Sequence, residues 1–143
     1  MVDASAILEL QRLAYRSEAK IYEDDTIAPL TQSLEEVKAD FSAKTVLKAT
    51  AQGCLLGSVR GFQKGQTCYI ERLMVHPEFQ GKGLGTALMR HAEKQFPGAG
   101  RYELFTGHKS ERNIHLYQKL GYSIFKRERI SERLTFLYME KRL

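Results

Sequence analysis

The chain has 143 residues, 43% of them hydrophobic and 27% charged, which is the usage of one soluble globular domain able to bury a core without metal or disulfide support. Its formal net charge of +5 is unevenly spread. Residues 18–40 hold seven acids (Glu18, Glu23, Asp24, Asp25, Glu35, Glu36, Asp40) against Lys20 and Lys38, so this stretch carries −5 and the remainder +10.

No stretch approaches the ~20 apolar residues of a membrane span, and no basic segment precedes an apolar run at the start. Cys54 and Cys68 therefore read as reduced thiols of a cytoplasmic protein, and with no C-x-x-C or H-x-x-x-H spacing no metal site is expected.

In chain order, Ile7, Leu10 and Ala14 recur at helical spacing and predict a helix over residues 3–18, followed by loop to residue 32. Ser33 and Glu36 have the spacing of a capping box and open a second helix ending near Phe41. Strand-like runs at 45–50, 54–64 and 67–76 predict an antiparallel meander stopped by Pro77. Leu84, Leu88, Ala92 and Phe96 step by four, predicting a helix over 83–96 packed on the sheet. A strand at 102–106, a helix at 110–120 closed by Gly121, and strands at 122–125 and 134–138 complete the order ααβββαβαββ. No repeat or linker divides residues 1–143, which read as a single α/β (α+β) domain.

The segment from Leu73 to Thr86 carries the chemistry. Gly81, Gly83 and Gly85 alternate at a helix start, where missing Cβ atoms let a ligand approach and successive N–H groups suit phosphate oxygens. The spacing matches neither the dinucleotide fingerprint nor a P-loop, and a tight turn with close helix–sheet contact would also account for the glycines.

Gln80-Gly81-Lys82-Gly83-Leu84-Gly85 resembles the Q/R-x-x-G-x-G/A acetyl-CoA signature of the GNAT superfamily of N-acetyltransferases. Leu73-Met74-Val75-His76-Pro77 before it and Asn113-Ile114-His115-Leu116-Tyr117 after it strengthen the resemblance, which covers about residues 45–125. It implies a mixed, mostly antiparallel twisted sheet flanked by helices. It also implies that the strand Leu73, Met74, Val75 binds the pantetheine arm, and that Gln80 and the amides of Gly81, Lys82, Gly83, Leu84, Gly85 and Thr86 hold the pyrophosphate. By the same resemblance Asn113 contacts the cofactor arm and Tyr117 lies near its sulfur. The family's usual first strand is short or missing here, and dimerisation would be one way to cover the resulting edge.

An amine must lose a proton before attacking a thioester, and the departing thiolate benefits from a donor such as Tyr117, a residue that also fits as a core aromatic. Glu71 ranks first as base because simple alternation puts it on the same sheet face as Leu73; the competing reading pairs it with Arg72, Arg60 or another cation. Tyr69 and the loop residue His108 are weaker candidates.

The expected activity is direct transfer of acetyl from acetyl-CoA to a primary amine of a small molecule or peptide. The acidic stretch points to a cationic acceptor such as a polyamine, an aminoglycoside-like amine, lysine or a basic peptide end; its alternative is solvated helix faces and caps. A non-catalytic CoA-binding sensor or regulatory module is the competing class, while a nucleic-acid partner is not expected because no aromatics interleave the charges of residues 126–129.

Overall fold

A computed structural model describes residues 2–143. Four helices precede the sheet, α1 (Val2–Ala14), α2 (Arg16–Tyr22), α3 (Ala28–Thr31) and α4 (Leu34–Ala43). The sheet consists of β1 (Thr45–Ala51), β2 (Cys54–Lys64), β3 (Thr67–Val75), β4 (Arg101–Gly107), β5 (Ser123–Arg129) and β6 (Thr135–Arg142). A single 3-10 turn (Pro77–Phe79) and α5 (Leu84–Lys94) follow β3, and α6 (Glu111–Lys119) follows β4.

Two expectations about the N-terminal region need correction. The predicted first helix bends at Tyr15 and continues to Tyr22, with Ala19 N–H still donating to Tyr15 C=O at 3.0 Å across the bend. Part of the expected loop at 19–32 is therefore helical, because Ala19 and Tyr22 are buried and Glu23, at φ 52°, closes the helix in a left-handed cap. The capping box forms as expected: Glu36 N–H donates to Ser33 Oγ at 3.2 Å and Ser33 N–H to Glu36 Oε1 at 2.9 Å. The helix it opens runs two residues past Phe41.

The strands lie in the order β1-β2-β3-β4-β6-β5, all antiparallel except the β3–β4 pair. One face carries α5 and α6, whose Leu88, Met89, Ala92 and Tyr117 share a core with Val59, Ile70, Leu104 and Met139. On the other face, Ile7 and Leu10 of α1 and Val37 of α4 pack with Met74. Gly57 permits the close approach of α5: a Cβ there would lie 2.9 Å from both Leu88 Cδ1 and the Met74 carbonyl oxygen.

β3 contains a bulge. Its pairing with β2 slips between Ser58 and Arg60, and Arg72 sits at φ 52°. Before the slip Cys68 and Ile70 face α5; after it Leu73 and Val75 do, while Met74 faces α1. An extra residue shifts the two-residue alternation by one and turns every later side chain to the opposite face.

Candidate active site

The turn between β3 and α5 builds one end of the site. Gly81 (φ 77°) and Gly83 (φ 83°, the N-cap of α5) occupy left-handed conformations with nothing within 4 Å of a built Cβ. No side chain caps α5, so its first-turn amides and the positive end of its dipole are offered to the adjoining cleft. Gly85 serves packing, since a Cβ there would lie 3.3 Å from Leu116 Cδ2.

That cleft, about 610 Å³, is bordered by Leu73, Met74, Val75, Gln80, Gly81, Gly83, Leu84, Gly85, Thr86 and Asn113, the expected cofactor-binding residues apart from two. Lys82 does not border it; its ammonium lies 5.3 Å from the Phe79 ring centroid. Tyr117 borders the neighbouring cavity instead. The side chain of Met74 is buried with α1, because the bulge turned it away.

β3 and β4 pair only through Thr67–Tyr69 and Arg101–Glu103, then separate. Along the separated edge the Leu73 carbonyl accepts from Tyr15 Oη at 2.9 Å and the Val75 carbonyl from Gln80 Nε2 at 3.4 Å. Arg112 of α6 donates to Gln80 Oε1 and places a guanidinium on the cleft wall. Sequence reasoning passed over Arg112, although a cation in a helix's first turn opposes the dipole and so signals another purpose.

A second cavity of about 560 Å³ opens between the separated strands and shares Tyr15, Glu18, Leu73, Ser110 and Asn113 with the first. Glu18, also missed from the sequence, accepts from Ser110 Oγ at 2.6 Å and from Asn113 Nδ2 at 3.3 Å. Tyr22 Oη lies 2.8 Å from Ser110 Oγ and accepts from Lys109 N–H, closing a polar chain along the shared wall.

Tyr117 is buried, and its hydroxyl has no hydrogen-bond partner among the described residues. Burial pushes its pKa far above the ordinary tyrosine range, so the phenol stays protonated and keeps a proton to donate.

Glu71 borders the second cavity but does not share the face of Leu73. It is paired with Arg60 in the ladder and faces α1 and α4, where Lys44 Nζ binds its Oε2 at 2.9 Å. The expected same-face geometry fails because the count across Arg72 assumed unbroken alternation, and the competing ion-pair reading is realised through Lys44 rather than Arg72 or Arg60. The fully buried Arg60 instead donates to Gln11 Oε1 at 2.9 Å and approaches Asp40 at 3.7 Å.

The weaker candidates lie outside both cavities. His108 Nδ1 accepts from Thr135 N–H at 2.9 Å, and Tyr69 stacks on Phe62 with ring centroids 5.2 Å apart. Among the acids of residues 18–40, Glu18 and Asp24 border the second cavity. Glu35 pairs with Lys38, Glu36 caps α4, and Asp40 pairs with Lys44, so those three serve α4 and its surroundings.

A family model described as the acetyltransferase (GNAT) family matches residues 5–122. An acetyltransferase of Yersinia enterocolitica is 30% identical over 89 residues, 61% of this chain and 63% of that protein, so the match spans under two thirds of that relative's length. The fold resembles the PaiA N-acetyltransferase of Thermoplasma acidophilum in complex with coenzyme A, with TM-score 0.81 and 22% identity over 99% of this chain and 94% of that one. It likewise resembles an aminoglycoside 6′-N-acetyltransferase complexed with coenzyme A, with TM-score 0.78 and 20% identity over 99% and 91% of the two chains.

Proposed function

This chain belongs to the GNAT family of acetyltransferases, and on that premise we propose that it transfers the acetyl group of acetyl-CoA directly to a primary amine. The observation that carries the proposal is the meeting of two cavities at one wall, an amide-lined cleft for the donor and a second space opening beside Tyr117 for the acceptor.

In this reading the α5 amides, the left-handed glycine turn and Arg112 hold the diphosphate, which needs donors and positive potential but no side-chain bulk. The separated edge of β3 holds the pantetheine arm, with Asn113 opposite it. Once the ammonium has given its proton to Glu18, the amine nitrogen attacks the thioester carbonyl carbon. The C–N bond forms, the tetrahedral centre collapses, and the C–S bond breaks. Tyr117 supplies a proton to the leaving sulfur and is reprotonated by the second proton that the nitrogen sheds as the amide forms, while Glu18 passes the first proton to water, giving an amide and free CoA thiol. We place Glu18 rather than Glu71 in the accepting role because Glu18 borders both cavities, whereas Glu71 borders only the second and is held by Lys44.

Tyr117→Phe tests the assignment. Its hydroxyl bonds to no described residue, so the substitution leaves thermal stability essentially unchanged and removes only the proton donor. The expected result is a fall in kcat of about 10- to 100-fold with acetyl-CoA affinity retained, read as thiol release and as calorimetric binding respectively. In the unsubstituted enzyme activity rises with pH as amine deprotonates, and no tyrosine ionisation cuts it off below about pH 10 because burial raises the Tyr117 pKa. Tight acetyl-CoA binding without turnover of any amine would favour the sensor reading.

A further inference from the structure

The second cavity has walls of one character and an end of another. Ile27, Pro29, Ile70, Leu104, Phe105 and Phe136 supply apolar surface, and the Phe105 and Phe136 rings pack with centroids 4.6 Å apart. Phe105, which borders this space, remains 42% exposed despite its size, so a large ring is left outside the core. Polar groups gather where the cavity meets the donor cleft, at Glu18, Ser110 and Asn113.

Of the three carboxylates bordering the cavity, Glu71 alone among the described residues is held by a cation. Glu18 holds Ser110 and Asn113, Glu71 is bound by Lys44, and Asp24 Oδ1 accepts from Thr26 N–H at 2.8 Å and from its hydroxyl. Arg72 adds a positive charge to the same lining. The segment after α2 is also tied to the β5–β6 turn, as Arg133 Nη1 donates to the Glu23 carbonyl at 2.8 Å. Both tied segments contribute lining residues, so the cavity is bounded on that side.

We infer that the acceptor is a small monoamine with an apolar carbon skeleton, not the polycation that the acidic stretch suggests. This rests on the transferase reading and narrows its substrate class. The amine nitrogen sits at the Glu18 end, and the skeleton lies between Ile27 and Pro29 on one side and Phe105 and Phe136 on the other. A second ammonium would have to leave water for phenyl walls with Arg72 nearby, while Glu18 is taken by the first nitrogen and Glu71 by Lys44.

Hexylamine and 1,5-diaminopentane are nearly isosteric and differ in whether the far end is methyl or ammonium, so they isolate this inference. With saturating acetyl-CoA, thiol release is expected to show kcat/KM at least about tenfold higher for hexylamine. Shortening to butylamine should cost about fourfold per methylene removed. Phe136→Ala should reduce the hexylamine preference severalfold while leaving acetyl-CoA affinity intact, and a tripeptide with a free α-amine should be at least about tenfold poorer than hexylamine.

Equal or better use of the diamine, or equal use of the tripeptide, overturns the inference. Calorimetry of both amines against the CoA-saturated protein separates it from the reading beneath it. Hexylamine binding without turnover would sink the transferase and keep the site; binding of neither amine, or tighter binding of the diamine, would sink the site.

Discussion

The two edges of β3 make opposite use of one strand. Toward β2 it pairs at seven positions, from Gly57↔Val75 to Lys64↔Thr67, interrupted once by the bulge. Toward β4 it pairs at three and then departs, leaving an edge that meets side chains and open space. The last β3–β4 pair is Tyr69↔Glu103, and the bulge at Arg72 begins just beyond it. A bulge bends and further twists its strand, so the irregularity that keeps the β2 edge paired also swings the other edge away. Unpaired main-chain groups are costly when buried dry, and here they face the cavities, with Tyr15 and Gln80 covering two of the carbonyls. The paired edge thus serves stability, and the separated edge is the one proposed for binding.

Two glycine substitutions separate these roles. Gly83→Val forces a β-branched residue to φ 83° and places its side chain in the donor cleft. Acetyl-CoA affinity should fall by about 100-fold or more, measured by calorimetry on the folded fraction. Gly57→Ala acts on the paired edge, where the new Cβ would press Leu88 and the Met74 carbonyl at 2.9 Å. It should cost about 1–3 kcal/mol in denaturant unfolding and leave the acetyl-CoA Kd within about twofold below the melting transition. A large affinity loss from Gly57→Ala, or none from Gly83→Val, would dissolve the division between the edges.

The parts legible in the sequence are those whose cause is local. A left-handed backbone is a demand glycine meets at least cost, so Gly81, Gly83 and the α6 terminator Gly121 (φ 102°) record it in residue type. The Ser33 and Glu36 box needs only four consecutive residues. The face of Glu71 was not legible, because a bulge belongs to a pair of strands and counting along one of them cannot reveal an unmatched residue on the other. Lys44, the ion-pair partner of Glu71, lies 27 positions away, and the pairing of β1 with β2 and of β2 with β3 brings it near. In the sequence Glu18 is one acid of an acidic stretch, yet its hydrogen-bond partners Ser110 and Asn113 come from a helix and its cap almost a hundred residues later. The bend at Tyr15 hides in the same way, because a continuous helical pattern does not show that one hydroxyl reaches a strand 58 positions on.

That hydroxyl gives the smallest effect and the sharpest view of the open edge. Tyr15→Phe removes the donor to the Leu73 carbonyl and should lower stability by about 1 kcal/mol near neutral pH, measured by denaturant unfolding. Its pH dependence distinguishes a hydrogen bond from lost packing. Burial, opposed in part by Arg72, raises the Tyr15 pKa to about 12, above the value of 10 for an exposed tyrosine. Folding therefore favours the protonated phenol. The stabilisation is complete below about pH 10 and disappears as the pH climbs toward 12, because the unfolded chain ionises first. The gap between the unsubstituted protein and Tyr15→Phe should accordingly be constant from pH 7 to 9 and shrink above 10, with the other tyrosines contributing equally to both. A gap unchanged across that range would mean that the ring, and not the bond to Leu73, holds α1 against the open edge.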